Sequence, residues 1–117
     1  MDTPRPSRRH FPRIPSEHLV LVNKVGDAEA EQLARTRNMS RGGCLVRVRE
    51  RFGNGSVVQV LVKIGDQVVD SLGRVVYEIS RRRGEVDVGI EFLYLNEADQ
   101  RRLAMLIGEG KAAPEPD

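Results

Sequence analysis

The sequence has no tryptophan, three phenylalanines and two tyrosines, so aromatics make up only 4% of its 117 residues. Recognition built mainly on stacking between bases and aromatic rings is excluded by that shortage. Its single cysteine, Cys44, excludes an internal disulfide framework and fits a reducing compartment or an indifferent one. One cysteine and two histidines cannot assemble a zinc site of four cysteines, nor one of two cysteines and two histidines. No apolar run approaches the ~18 residues a membrane helix needs. The opening Met1-Asp-Thr-Pro-Arg-Pro-Ser-Arg-Arg lacks the apolar stretch of a secretory signal. A large excess of one charge is missing too. Lys+Arg number 19 and Asp+Glu 17, a net +2, which argues against a bulk nucleic-acid binder. The expectation is a cytoplasmic, single-domain protein without membrane insertion, with a core burying roughly two-thirds of the unfolded surface.

The near-balance of charge is an average over unlike segments. Residues 1–15 hold Arg5, Arg8, Arg9 and Arg13 against Asp2 alone, with proline at 4, 6, 12 and 15. Proline at that density forbids a helix and favours extended backbone. Residues 1–16 are therefore expected to form a flexible basic arm, and 109–117, with Pro114 and Pro116, a disordered tail. Between them, residues 17–108 read as short strands. Candidates are His18–Asn23, a stretch around 32–38, Cys44 onward as far as Arg51 or Phe52, Val57–Ile64, Asp70–Ser80 and Glu85–Leu93. In the last, Val86, Val88, Ile90 and Phe92 alternate with Glu85, Asp87, Gly89 and Glu91. Gly53-Asn54-Gly55 reads as a hairpin turn because these residues tolerate positive φ. Gly65-Asp66 reads as a turn, and Arg81–Gly84 as a hairpin tip. Strands at this spacing predict a small antiparallel barrel. One helix follows, with Asn96 as N-cap, Leu103, Leu106 and Ile107 at helical spacing, Arg101 and Arg102 on the outer side, and Gly108 at its stop.

Catalytic signatures are absent: no Gly-x-Ser-x-Gly elbow, no His-Glu-x-x-His and no Walker loop, so no enzyme is expected. Cys44 reads as a small apolar side chain at a strand start, and His10 and His18 as surface residues. Two motifs remain. Arg9-x-x-x-Arg13, preceded by Arg8, places guanidinium forks on a proline-stiffened arm, and such forks suit phosphate and the O6/N7 edge of guanine. Asn38-x-Ser40-x-x-Gly43 places an amide and a hydroxyl in a tight turn, with Gly42 and Gly43 allowing close backbone approach. Singly, the first is most often a solvated arm and the second an Asx-turn between strands. Together they are compatible with a small guanine-bearing phosphate ligand.

In that order and placement the two motifs resemble the PilZ domain, a bacterial receptor module for cyclic di-GMP. Val88-Gly-Ile-Glu-Phe92 looks like the family's last barrel strand, and Asn96 to Ile107 like its closing helix. The resemblance implies a mainly β fold, a six-stranded antiparallel PilZ-type β-barrel with a C-terminal helix. It implies that Arg9 and Arg13 hold guanine and phosphate, that Asn38 meets a guanine edge, that Ser40 binds through its hydroxyl and that Gly43 gives close approach. Arg8 resembles members that take the ligand as an intercalated dimer. Asn38 stands where others carry Asp, and a neutral amide accepts fewer guanine N–H bonds, which implies modest affinity. No cofactor is implied. The expected mechanism is an arm that orders over the barrel on ligand binding. A chain of this length is expected to signal through a separate effector protein. The rival is a PilZ-like adaptor, in motility or pilus assembly, that works without ligand. A barrel gripping nucleic acid through the arm and Arg81-Arg82-Arg83 ranks below both.

Overall fold

Valine at alternate positions is the organising pattern, because β-branched side chains suit a pleated surface with one face buried. In the computed structural model, which describes residues 14–15, 17–27 and 29–111, that pattern forms seven strands and one α-helix. The strands are β1 (Ile14–Pro15), β2 (Leu19–Lys24), β3 (Glu31–Ser40), β4 (Gly43–Val48), β5 (Val57–Ile64), β6 (Gln67–Ser80) and β7 (Val86–Leu95). The helix α1 spans Glu97–Lys111. All strand pairings are antiparallel. Pairing runs β3–β2–β5–β6–β7–β4 and returns to β3, which closes a six-membered ring. The two-residue β1 lies end to end with β2 along the same edge of β3. Among the described residues, each of the six strands of the ring is paired on both sides.

Val20, Val22, Val46, Val58, Val60, Val62, Val75 and Val88 fill the interior, with Met39 and Cys44 among them. Cys44 thus packs as an apolar side chain, as expected. Leu103 and Ile107 of α1 join the same core, and α1 lies against β6. Asn96 caps the helix: its Oδ1 accepts the Asp99 N–H at 2.8 Å. Asp99 is itself buried, accepting the Asp70 backbone N–H at 3.2 Å and the Arg102 Nη1 donor at 2.6 Å.

Several local expectations are corrected. Gly53-Asn54-Gly55 makes a turn, with φ of +103° at Gly53 and +86° at Gly55, but it closes no hairpin. Both edges of β4 are already taken by β3 and β7, so the chain must cross to β5 elsewhere in the ring. For the same reason β4 stops at Val48, opposite Val86 where β7 begins, and does not continue to Arg51 or Phe52. Phe52 instead turns inward and is buried, its N–H donating to Glu78 Oε2 at 2.7 Å. β3 runs at both ends beyond 32–38, and β6 starts at Gln67 because the Gly65-Asp66 turn pairs Ile64 directly with Gln67. The helix passes through Gly108 to Lys111. Arg102 is half-buried through its pairing with Asp99, whereas Arg101 is exposed as predicted. His18 is half-buried, its N–H donating to Thr36 Oγ1, and His10 lies outside the described residues. The proposed tail begins within the helix, and residues 112–117 lie outside the description. Among the described residues no helix is long and apolar enough to cross a membrane.

Candidate functional site

The Asn38-x-Ser40-x-x-Gly43 motif straddles the β3–β4 hairpin. Asn38 and Ser40 belong to β3, Gly43 opens β4, and only Arg41 and Gly42 form the turn. The amide and hydroxyl therefore sit on a strand, which corrects their placement in the turn itself. Ser40 is buried, and its hydroxyl serves the hairpin: it donates to the Gly43 carbonyl at 3.4 Å and accepts the Gly42 N–H at 3.1 Å. The Gly42 carbonyl in turn accepts the Phe92 N–H at 2.8 Å, tying the turn to β7. Gly43 faces the β7 backbone so closely that a Cβ there would lie 2.1 Å from the Ile90 carbonyl oxygen.

Asn38 owes its position to a β-bulge. Thr36 pairs with Val46, but Asn38 pairs with the very next residue of β4, Leu45, leaving Arg37 as the extra residue. Before the bulge the even positions Ala34 and Thr36 are buried, and after it Met39 is buried while Asn38 becomes half-exposed. Such an insertion re-aims the side chains that follow it. On the opposite edge of β3, Pro15 pairs with Asn38 and Ile14 with Met39. The residue next to Ile14 in sequence is Arg13, the end of the arginine motif. Arg8, Arg9 and Arg13 lie outside the described residues.

Beyond Asn38 the outward face of the barrel continues as a row. Asn38 pairs with Leu45, Leu45 with Gly89, and Gly89 with Tyr77. The Tyr77 ring lies directly over Gly89, so close that a Cβ on Gly89 would meet it at 2.3 Å. Next to it run Gly43, Glu91 and Arg74, again paired strand to strand. Ser40, Gly43, Tyr77, Gly89 and Glu91 line a narrow cleft between the strands. On the other side of the turn, Arg41 borders an open groove of about 560 Å³ between the end of β7 and α1, which includes Tyr94 and Arg101. Tyr77, Arg74 and Glu91 were not singled out from sequence. The available signal was Gly89 inside a strand, since such a glycine marks a close approach.

The electrostatics of the neighbouring row separate committed arginines from available ones. Asp87 is buried and accepts Arg47 Nε at 2.7 Å, Arg47 Nη2 at 3.1 Å and Arg81 Nε at 2.7 Å. The Arg47 hydrogen bonds, helped by Arg81, hold the Asp87 carboxyl below its ordinary range against the opposing effect of burial. The same bond pushes Arg47 up. Arg81 is thus paired with Asp87, although its side chain remains exposed. Among the described residues no cluster of His, Cys, Asp or Glu is suited to a metal ion. Chemically, the described residues of the Asn38 region offer an amide and a tyrosine ring over a glycine. That set suits a ligand with planar bases.

The family model described as PilZ domain matches residues 7–109. Among solved structures, the inhibitor of motility MotI/DgrA of Bacillus subtilis is similar at 14% identity and a TM-score of 0.77, over 95% of this chain and 53% of that one. The PilZ domain of Escherichia coli YcgR, solved with c-di-GMP, is similar at 16% identity and TM-score 0.69, over 90% of this chain and 92% of that one. The MrkH–c-di-GMP complex of K. pneumonia is similar at 13% identity and TM-score 0.71, over 93% of this chain and 52% of that one. The chain thus spans about half the length of MotI/DgrA and MrkH. At these identities the likeness establishes the fold, a six-stranded antiparallel barrel with a C-terminal helix. No curated protein matches the sequence.

Proposed function

The chain belongs to the PilZ domain family, and from that premise we propose that it is a cyclic di-GMP receptor acting by binding, not by catalysis. The register of β1 supports the reading: Pro15 lies opposite Asn38 and Ile14 opposite Met39, and Ile14 follows Arg13 in the sequence. In this reading Arg9 and Arg13, with Arg8 before them, take the phosphates and guanine edges, and Asn38 bonds a guanine. Ser40 and Gly43 contribute by holding the hairpin in shape, since the Ser40 hydroxyl is already engaged within it. Uptake of the ligand as an intercalated dimer brings four phosphate charges to the arm, which suits three arginines better than one ligand does. Ordering of the arm over the barrel then presents a changed surface to an effector protein.

Isothermal titration with cyclic di-GMP tests this directly. Charge-assisted hydrogen bonds are worth ~1.5–3 kcal/mol, so Arg9→Ala and Arg13→Ala should each weaken binding by about 10- to 150-fold. Asn38→Ala should weaken it as well, with a smaller effect for a neutral donor–acceptor group. Absence of binding heat in the unaltered chain would transfer the reading to a ligand-independent adaptor. Unchanged affinity in both arginine variants would remove the site assignment.

A further inference from the structure

We propose that the outer face of β2, β3 and β5 is a self-association surface, on which a second copy of this chain packs about a two-fold axis. The face carries a row of three leucines, Leu33, Leu21 and Leu61, paired strand to strand across the barrel wall. Leu33 is 66% exposed, and Leu21 and Leu61 are half-buried. Outward leucines placed side by side on three neighbouring strands form a patch, unlike the isolated exposed apolar residues common on any surface.

The charges beside that row say what covers it. On β3, Glu31 and Arg35 flank Leu33 on the same exposed face. They stand four residues apart, about 13 Å along an extended strand, too far to pair with each other. A two-fold axis lying along the leucine row leaves the leucines facing their own copies and reverses the strand direction. Glu31 of one copy then meets Arg35 of the other, and the reverse pair forms by symmetry. Asp70, at the end of the leucine row on β6, would face its own copy, which confines the contact to β2, β3 and β5. A surface that is complementary to itself under a two-fold is the requirement for an isologous dimer.

The contact is small. Three strands by five residues span roughly 14 by 17 Å, well short of the ~800 Å² per partner of a standard stable interface. The dimer is therefore weak and concentration-dependent. It leaves the Asn38 region, beyond the bulge on β3, uncovered.

Sedimentation velocity of the full chain, at protein concentrations from about 10 to 500 μM in low salt, reads this out. The expected result is a monomer–dimer equilibrium within that range. Leu33→Glu should abolish it, with an unchanged circular dichroism spectrum because Leu33 is exposed. Glu31→Arg should weaken it by about tenfold or more, since both symmetric pairs become repulsive. The double variant Glu31→Arg/Arg35→Glu should restore it, because the pairing is rebuilt with its signs exchanged. A chain that stays monomeric throughout overturns the proposal. So does a Leu33→Glu chain that still dimerises, or a folded double variant that associates no better than Glu31→Arg. Cyclic di-GMP titration should give the same affinity for Leu33→Glu as for the unaltered chain, which keeps failure of the dimer separate from failure of the ligand reading.

Discussion

Gly43 belongs to the proposed ligand motif, yet the structure gives it a packing task, and the two roles predict different defects. In Gly43→Ala the new Cβ would lie 2.1 Å from the Ile90 carbonyl oxygen, 3.1 Å from the Ile90 carbonyl carbon and 3.2 Å from the Glu91 Cα. All three are backbone atoms of the strand paired with β4, so no side chain can swing aside. Relief requires β4 and β7 to part locally by about 1 Å, the shortfall from ordinary carbon–oxygen contact near 3.3 Å. Overpacking of this kind costs ~1–3 kcal/mol, and stretching one adjacent ladder bond adds about 1 kcal/mol. The total of roughly 2–4 kcal/mol should lower Tm by about 10–25 °C for a domain of this size. Gly55→Ala is the reference, because nothing lies within 4 Å of its absent Cβ although its φ is +86°. That variant should lose only the left-handed backbone preference, about 1 kcal/mol. Differential scanning calorimetry of the two variants decides the matter. A Gly43→Ala chain melting within about 3 °C of the unaltered protein would refute the close-packing account, and a normal Tm with lost cyclic di-GMP binding would return Gly43 to a ligand role.

The other stability predictions concern groups whose partners are on view. Asp87→Ala removes three charge-assisted bonds, but Arg47 and Arg81 can turn to water, so the loss at pH 7 should be about 2–3 kcal/mol, at or below the low end for breaking a fully buried pair. Because the folded Asp87 pKa is depressed, its contribution is complete above the unfolded carboxylate value of about 3.9 and is lost as pH falls through the lower folded value. Urea midpoints of variant and parent should therefore converge in acid, and a constant gap from neutral pH down to about pH 2 would contradict the ion-pair account. Asn96→Ala removes the cap on the Asp99 N–H and should lower stability by ~1 kcal/mol, while Asn96→Ser retains most of it. Equal urea midpoints for all three chains would remove the cap from the account of α1.

What the sequence made legible follows from local physics. Val58, Val60 and Val62 point inward because alternation on a strand has no other solution once one face is buried. Asn96 caps α1 because the signal and its target are three residues apart. Neighbour choice is not local. Gly53-Asn54-Gly55 carries hairpin chemistry, but whether the flanking strands pair depends on which edges are free, and β3 and β7 had filled both edges of β4. Asp87 reads as an outward polar residue and is one, yet Arg47, 40 positions away, and Arg81 cover it completely. Gly108 signals a helix end, but one glycine costs only about 1 kcal/mol, and the adjoining Ile107 is anchored in the core.

The bulge at Arg37 shows the same limit at the site itself. Read at a strict period of two, Ala34, Thr36, Asn38 and Ser40 share one face, and Met39 falls on the other with Leu33 and Arg35. That phase would place an amide in the barrel interior and a methionine in water. One extra residue resolves both conflicts: Met39 enters the core and Asn38 reaches the outer face. Burying a methionine is worth ~1.5–3 kcal/mol, and burying an unpaired amide costs a similar amount or more, so the two terms together outweigh the one unpaired ladder position a bulge leaves. The shift has a second effect. It divides β3 into a first half whose outer residues are Glu31, Leu33 and Arg35 and a second half whose outer residue is Asn38. The first half pairs with β2 and the second with β1, so one strand presents two differently partnered surfaces. The proposed self-association face and the proposed ligand face can then share β3 without competing for the same side chains.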